Sequence, residues 1–314
     1  MYLITGGTGF VGTYVTRRLL QRGEPICLYE TTPDTTLLAA LWRRPLPDSL
    51  RIITGDVSRT APLFASVAEL RPRIIIHLAS SLPPQSEDNA PDSLATITQS
   101  HLNVFEAARL FGIERIVWAS AASVFGSAPR HGGVDTAVAD DAPHYPNSLY
   151  GIYKSANERL SRYYYDRYRL QSIGFRFMQG YGPGKRRGRP FGYRLFESLL
   201  HNEPFTLPFG DDVINWQYVE DIADIIVRGL DIPVAEGMVA NTTGEILSAR
   251  ETLTLLQELV PGAQVSFAGG SAEIVWRLQT KFAESVLGFD RPTPARDGFA
   301  RTLETMRQWH RADP

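Results

Sequence analysis

A tyrosine and a lysine four residues apart carry the clearest chemical signal in this sequence. Tyr150 and Lys154 fall in the first turns of a helix predicted over residues 149–168, with Asn147 or Ser148 as its N-terminal cap. Their spacing puts both side chains on one helix face. A neighbouring ammonium favours the phenolate and lowers the pKa of a tyrosine, which can then exchange a proton with a secondary alcohol. The alternative is a solvated Tyr/Lys pair on an amphipathic helix.

A glycine-rich turn near the N-terminus provides a second signal. Gly6, Gly9 and Gly12 lie between a predicted strand, Tyr2–Thr5, and a predicted amphipathic helix, Phe10–Gln21. Glycine is required where such a turn is tight and where the backbone approaches a pyrophosphate, and the helix N-terminus attracts the negative charge. We therefore predict a dinucleotide site here; an ordinary glycine-rich turn is the alternative.

An acidic residue selects between the two common dinucleotides. Glu30 ends the second predicted strand, 18 positions after Gly12, and no arginine follows it within the next dozen residues. A carboxylate at this place accepts hydrogen bonds from both ribose hydroxyls and repels a 2′-phosphate. The sequence thus favours NAD over NADP, unless Glu30 is only a solvated acid at a strand end.

The elements that must position these residues alternate along the first 180 residues. Short apolar runs predict strands at the following ranges: Tyr2–Thr5, Pro25–Glu30, Arg51–Thr54, Arg73–Leu78, Arg115–Ser120 and Gln171–Phe177. Helical patterns separate them, which predicts an α/β fold with a doubly wound parallel sheet of the Rossmann type. We expect a cofactor domain at 1–179 plus 213–234, with Val213–Leu230 returning to the main sheet. A small discontinuous lid over the substrate is expected at 180–212 plus 235–314.

Composition excludes several other classes of protein. Among 314 residues, 32 Lys and Arg balance 34 Asp and Glu, which argues against a nucleic-acid partner. No apolar run is long enough for a membrane span, and no secretory signal is apparent, so a cytoplasmic location is expected. The single cysteine, Cys27, and the spacing of the histidines predict no metal site.

The motifs occur in a familiar order. The glycine loop, Glu30, Asp56-Val57, His77-Leu-Ala-Ser80 and Tyr150-x-x-x-Lys154 follow one another along the chain. In this the chain resembles the extended short-chain dehydrogenases/reductases, and among them the NAD-dependent epimerase/dehydratase family of the UDP-galactose 4-epimerase type. Later matches, such as Arg176 to Gly184 and Gln217 to Ala223, extend the resemblance nearly to the C-terminus.

The resemblance implies a role for particular residues. Asp56 and Val57 would lie at the adenine, and Met178 would approach the nicotinamide. Members of the family are commonly dimers through two long helices, here 93–111 and 149–168. The substrate would contact Ser81, Ser123, Gln179 and Arg187. The full set of residues expected at the cofactor is Gly6, Gly9, Phe10, Val11, Gly12, Glu30, Asp56, Val57, Leu78, Ala79, Ser80, Ala119, Tyr150, Lys154 and Met178.

Departures from the family pattern bear on the reaction. The usual catalytic Ser or Thr is replaced by Ala121, so Ser123, or else Ser120, is expected to supply the missing hydroxyl. The acidic pair of the related dehydratases is replaced by Ala122 and Ser123, which argues against elimination of water as the reaction. Ile214 occupies the position at which the family often has an arginine that binds the substrate diphosphate. Gln179 occupies the position of the asparagine that usually contacts the substrate. A free sugar, a sugar acid or another polyol is therefore a comparable candidate to a nucleotide sugar.

A basic loop, in contrast, favours a substrate that carries a phosphate or a carboxylate. Lys185, Arg186, Arg187 and Arg189 could bind phosphate or carboxylate at the mouth of the cleft, although a solvated surface loop is the alternative. We expect an NAD-dependent enzyme that transfers hydride at a secondary alcohol or ketone of a sugar-like substrate, foremost a sugar or nucleotide-sugar epimerase. The alternatives are a dehydrogenase or reductase with exchangeable NAD, acting on a hydroxylated molecule that is not a nucleotide sugar, and a dinucleotide-binding regulator without catalysis.

Overall fold

Alternating strands and helices build the fold. The computed structural model describes residues 1–189, 191–233 and 235–312. Its strands are β1 (Tyr2–Thr5), β2 (Ile26–Glu30), β3 (Leu50–Thr54), β4 (Ile74–His77), β5 (Arg115–Ala121), β6 (Gln171–Phe177), β7 (Gln179–Tyr181), β8 (Phe205–Leu207), β9 (Val213–Tyr218), β10 (Glu236–Asn241), β11 (Glu245–Ser248) and β12 (Val265–Phe267). Its helices are α1 (Phe10–Gln21), α2 (Thr36–Trp42), α3 (Thr60–Leu70), α4 (Gln85–Asp88), α5 (Ala90–Leu94), α6 (Ser100–Phe111), α7 (Leu149–Tyr168), α8 (Phe191–His201), α9 (Val219–Gly229), α10 (Ala249–Leu259), α11 (Lys281–Leu287) and α12 (Ala295–Ala312).

The central sheet has seven parallel strands in the order β3-β2-β1-β4-β5-β6-β10. The order reverses direction beside β1, so the sheet is doubly wound, as the sequence predicts. Every residue of β1 and β4 is buried, because helices cover both faces of the sheet. The carboxyl ends of β1, β4 and β5 therefore open into one crevice at the edge where such folds bind ligands.

Helix α7 begins with two kinds of support for its first turn. The Ser148 side chain accepts a hydrogen bond from the Gly151 amide, which settles the choice between Asn147 and Ser148 as the cap. The Glu87 carboxylate accepts from the amides of Leu149 and Tyr150, each at 3.0 Å. A carboxylate at this end also favours the helix dipole. These contacts fix the turn that carries Tyr150.

The predicted course of the chain after residue 212 is wrong in one respect. Strand β9, expected to return to the main sheet, pairs instead with β7 and β11 in a separate three-stranded sheet. The main-sheet edge beside β6 is taken by β10, from a segment assigned to the lid. The chain turns away after β6 and forms β7, which offers β9 a parallel partner, so the edge is left for β10. The division into domains itself stays a prediction.

Two helical regions also differ from the sequence pattern. The helix predicted over 93–111 is divided into α5 and α6 by a π-helical turn at Ala95–Gln99. Helix α2 was not predicted, and it lies between the two strands that flank the adenosine side of the crevice. None of the described helices combines the length and apolar character that a membrane span requires.

Candidate active site

A long cleft of about 1870 Å³ runs along the carboxyl edge of the central sheet. It contains both chemical signals of the sequence, because Gly6 and Glu30 line it together with Tyr150 and Lys154. All of the expected cofactor residues except Gly9 contribute to its wall, as do the four expected substrate residues. Gly9 instead forms the turn, where its amide donates to Gly6 O at 3.1 Å.

The glycine loop leaves room for a backbone-bound anion. Gly6 has φ of +75°, and a Cβ there would lie 2.7 Å from the Ala79 amide nitrogen. A Cβ at Gly12 would collide with Gly6 O. Helix α1 starts directly after Gly9, which has no side chain to cap its first amides. The uncapped helix end is therefore open to a diphosphate.

Two carboxylates lie at the adenosine side of the cleft. Glu30 Oε1 accepts from the Thr8 amide at 2.9 Å, and burial raises the pKa of Glu30 while the Thr8 and Gly7 amides lower it. Asp56 Oδ1 is occupied by the amide and the hydroxyl of Ser58, at 2.8 and 2.7 Å. The second oxygen of Asp56 makes no hydrogen bond within the described chain, and each carboxylate has lone pairs that can accept hydrogen bonds from a ligand.

The Tyr150–Lys154 pair lies at the inner end of the cleft. Lys154 Nζ donates to Ala119 O at 2.7 Å and lies 5.6 Å from the centre of the Tyr150 ring. Burial lowers the pKa of Lys154 to about 8, and the charge of Glu158 opposes that change. The two side chains share a helix face, as their spacing predicts.

The predicted effect of the pair on the phenol is wrong in this arrangement. Burial raises the pKa of Tyr150, and the group that lowers it is the Ser80 hydroxyl rather than the Lys154 ammonium. The physical reason is that the ammonium is directed at the Ala119 carbonyl, while removal of the phenol from water penalises the phenolate. Ser80, expected only at the cofactor, thus also faces the reacting side chain.

The structure distinguishes the two candidate replacements for the missing hydroxyl. Ala121 is 7% exposed and lines the cleft. Ser120 Oγ donates to Glu158 Oε1 at 2.5 Å, so it is already engaged. Ser123 Oγ is buried without a hydrogen-bond partner among the described residues, and Ser123 lines the cleft. A buried hydroxyl without a partner is costly unless a ligand satisfies it, so Ser123 remains the better candidate.

Behind Lys154 lies a buried ionic network that the sequence analysis missed. Arg176 donates two hydrogen bonds to the Glu158 carboxylate, from Nε to Oε1 at 2.9 Å and from Nη2 to Oε2 at 2.7 Å. Glu158 Oε2 also lies 3.2 Å from His144 Nε2. These contacts lower the pKa of Glu158 to about 2, despite burial. The available signal was its position four residues after Lys154, on the same helix face.

The basic loop is part of the cleft rather than a solvated loop remote from it. Lys185, Arg186, Arg187 and Arg189 all line the cavity. Arg186 and Arg187 are exposed, whereas Lys185 and Arg189 are half-buried. Ile214, in contrast, is fully buried in the core and contributes nothing to the cleft wall. The loop after β7, and not Ile214 of β9, therefore contributes positive charge to this part of the cleft wall.

Comparison with known proteins identifies the family. A sequence profile of the NAD dependent epimerase/dehydratase family matches residues 2–240. The chain belongs to this family. It is 28% identical over 319 residues to the UDP-glucose 4-epimerase of Mycolicibacterium smegmatis, a match that covers 97% of this chain and 98% of that protein.

Two further matches are informative about this family member. The chain is 28% identical over 246 residues to a probable UDP-glucuronate 4-epimerase of Rhizobium meliloti, covering 75% of this chain and 69% of the other. The solved structure of MoeE5 in complex with UDP-glucuronic acid and NAD aligns with a TM-score of 0.82 at 27% identity, covering 98% of this chain and 99% of that chain. This chain is accordingly an NAD-dependent enzyme.

The residues of the cleft fit NAD. The glycine loop and the uncapped start of α1 suit the diphosphate, and the carboxylate of Glu30 suits the adenosine ribose. Bound NAD supplies the hydride acceptor and donor of the reaction.

The choice between NAD and NADP can be tested at Glu30. Glu30→Gln keeps an acceptor for the Thr8 amide but removes the charge, so NAD affinity should fall by about 10-fold and NADP affinity should rise. Calorimetric titration of nucleotide-free protein with both cofactors measures the ratio. Asp34→Asn is the matched control, because Asp34 lines the same end of the cleft. An unchanged NAD/NADP ratio in the Glu30 variant would remove Glu30 from cofactor selection.

Proposed function

We propose that this enzyme is a nucleotide-sugar 4-epimerase, which oxidises a sugar hydroxyl to a ketone and reduces it again from the opposite face. The observation that carries the proposal is the single cleft that joins an NAD site to the Tyr150–Lys154 pair and continues to Gln179, Phe209 and Trp276. That continuation has room for a second ligand beside the cofactor. Full-length similarity to a UDP-glucose 4-epimerase supports the assignment.

Each residue of the pair has a distinct task in this proposal. Tyr150, as the phenolate, accepts the proton of the C4 hydroxyl in the oxidation half and, as the phenol, returns it in the reduction half. Lys154, fixed by the Ala119 carbonyl, presents its ammonium to the nicotinamide ribose, while the Ser80 hydroxyl is the group that favours the phenolate. Ser123 donates a hydrogen bond to the reacting oxygen.

Elimination of water fits this site less well than epimerisation. Dehydration needs an acid and a base near the sugar, in addition to the tyrosine. Ala122 and Ser123 stand in the cleft wall in place of the acidic pair of the related dehydratases, and the nearby Glu87 carboxylate is occupied by the amides of Leu149 and Tyr150. Epimerisation requires only the proton carrier and the hydride carrier, which this cleft provides.

Turnover of candidate nucleotide sugars tests the proposal. Purified protein is incubated with UDP-glucose or UDP-glucuronate, with and without added NAD, and the products are separated by anion-exchange chromatography. We expect the C4 epimer of at least one substrate, formed without net NADH. Accumulation of a stoichiometric ketone with NADH would indicate a dehydrogenase instead, and the absence of any product would contradict the proposal.

The role of Ser123 can be tested with a pair of substitutions. Ser123→Ala removes a donor to the reacting oxygen, so kcat should fall by about 10²-fold. Ser123→Thr keeps the hydroxyl and should restore most of the rate. Steady-state kinetics on both variants provides the measurement. If the alanine variant turns over like the wild type, the hydroxyl must come from another residue, with Ser80 the next candidate.

We also infer a homodimer formed through α6 and α7. Large apolar side chains are exposed on these helices and at the end of α5: Leu94, Leu110, Ile152, Tyr163 and Tyr168. Several exposed large apolar side chains on two neighbouring helices are typical of an interface. Light scattering should therefore give about twice the 35.0 kDa chain mass, and Tyr163→Glu should give the mass of one chain. A monomeric wild type would contradict the inference. The cytoplasmic location stays a prediction.

A further inference from the structure

The loop between β7 and α8 brings cations to the substrate half of the cleft. Lys185 Nζ donates a hydrogen bond to Gly180 O, which holds the ammonium beside the chain that forms β7. Arg189 lines the same cavity together with Phe209 and Trp276. Neither role belongs to the hydride-transfer machinery described above.

Because Gly192 has no side chain, the side-chain amide of Gln179 and the ammonium of Lys185 both lie against the first turn of α8. A Cβ on Gly192 would collide with Gln179 Nε2 and lie 2.9 Å from Lys185 Nζ. The absence of a Cβ at Gly192 leaves this space to the ends of the two side chains. Gln179 is 8% exposed, and among the described residues its side-chain amide nitrogen makes one long hydrogen bond, of 3.5 Å, to Gly180 O. Two donors, one of them cationic, therefore converge beside the positive end of an eleven-residue helix.

These cations have no acidic partner within the described ranges. No ion pair joins Lys185 or Arg189 to a carboxylate there. Asp212 is the acid whose charge acts on Arg189, but its Oδ2 accepts from the Ala272 amide at 2.7 Å and from Trp276 Nε1 at 3.1 Å. Burial lowers the pKa of Lys185 to about 7, and the Arg189 charge adds to the effect. Half-buried cations without counter-charges favour an anionic ligand.

The cluster lies on the sugar side of the cleft. A Cβ on Gly188 would be 3.6 Å from Leu82 Cδ1, so the loop packs against the segment that follows β4. Two residues earlier in that segment, the Ser80 hydroxyl faces Tyr150. Gln179 itself follows Met178, which also lines the cleft. An anion held here would therefore lie near the reacting end of the substrate.

We propose that Lys185, Gln179 and Arg189 bind a carboxylate on the sugar, so that the substrate is a nucleotide-linked uronic acid. The proposal rests on the epimerase function proposed above and specifies its substrate class. A guanidinium presents paired donors that match a carboxylate. The diphosphate of the substrate is the other anion that could occupy the cluster, and the experiment separates the two.

Selectivity between two substrates tests the assignment. UDP-glucuronate and UDP-glucose share the diphosphate and differ in the carboxylate. Arg189→Gln should lower the ratio of kcat/KM for UDP-glucuronate over UDP-glucose by at least about 10-fold, because a charge-assisted hydrogen bond is lost from one substrate alone. Arg194→Gln, an exposed arginine of α8 outside the cleft, is the matched control and should leave the ratio unchanged.

Each outcome bears on the proposal. An equal loss on both substrates would assign the cluster to the diphosphate and overturn the carboxylate assignment, as would no loss on either. A wild type that epimerises UDP-glucose but not UDP-glucuronate would overturn the uronate inference and leave the epimerase function intact. If neither sugar is turned over, the epimerase function fails. Thermal protection of wild type and Arg189→Gln by the two nucleotides then tests the carboxylate site independently, and equal protection would refute it.

Discussion

Tyr150→Phe is expected to lower kcat/KM by about 10³-fold, which is the size of effect that a positioned proton carrier contributes. The phenol is the group at the inner end of the cleft that can carry the proton of the reacting hydroxyl, and the ring that remains preserves the packing. NAD binding should change little, because the glycine loop and Glu30 are untouched. Steady-state kinetics and cofactor titration of the same preparation separate the two effects.

A neighbouring tyrosine supplies the control. Tyr153 lies three residues further along α7, and its hydroxyl donates to Ala90 O at 3.3 Å, away from the chemistry. Tyr153→Phe should keep most of the activity. If Tyr150→Phe retained the wild-type rate, Tyr150 would not be the proton carrier, and the reaction would need another acid/base group in the cleft.

Glu158→Gln is expected to lower the free energy of unfolding by about 3–5 kcal/mol, the usual effect of breaking a buried ion pair. The substitution leaves the buried Arg176 guanidinium without its carboxylate and weakens the acceptor of Ser120. Urea unfolding measures the change. Asp166→Asn is the matched control, because the Arg162–Asp166 pair is exposed and should contribute less than about 1 kcal/mol. Equal effects in the two variants would contradict a structural role for the network.

The same carboxylate predicts how stability responds to acid. The pKa of Glu158 is about 2 in the folded chain, against an ordinary value of 4.5. A lowered pKa stabilises the fold above the unfolded value, so this contribution is complete above about pH 5 and is lost as the pH falls from there toward 2. The loss should be absent in Glu158→Gln, since glutamine does not titrate.

Glu158 also affects the pH dependence of catalysis, through the pKa of Lys154. Its charge raises the pKa of Lys154, which burial holds near 8. Removing that charge lowers the pKa of Lys154 further, so the positive charge beside Tyr150 would be lost at a lower pH. The alkaline fall of kcat/KM in Glu158→Gln should accordingly begin at a lower pH than in the wild type.

Local patterns predicted much of the frame that carries this site. Strand β1, the turn after it, α1 and α7 were predicted with the observed bounds, because apolar periodicity, glycine spacing and a serine cap are local signals. The sheets that β9 and β10 join could not be predicted from local sequence patterns. Which sheet a strand joins depends on the partners that other segments leave free, and the sequence of one strand does not specify them.

The candidate site likewise combines features that local sequence predicts with contacts that depend on the assembled fold. Spacing alone brought Tyr150 and Lys154 to one helix face, but the raised pKa of Tyr150 depends on burial by distant segments. The Glu158 network joins α7 to β5, β6 and the loop that contains His144, and these contacts become visible only when the elements are assembled. The meeting of Gln179 and Lys185 at Gly192 likewise depends on the path of the loop into α8.

The fate of a deuterium label at C4 tests the central claim most directly. Purified enzyme is incubated in ordinary water with a UDP-sugar that carries deuterium at C4, and the epimerised product is analysed by mass spectrometry and NMR. The proposed function predicts that the product keeps the label at C4, because the hydride leaves the sugar and returns within one active site. Loss of the label to solvent would mean that the epimer forms by proton abstraction, which would contradict hydride transfer in the Tyr150 cleft.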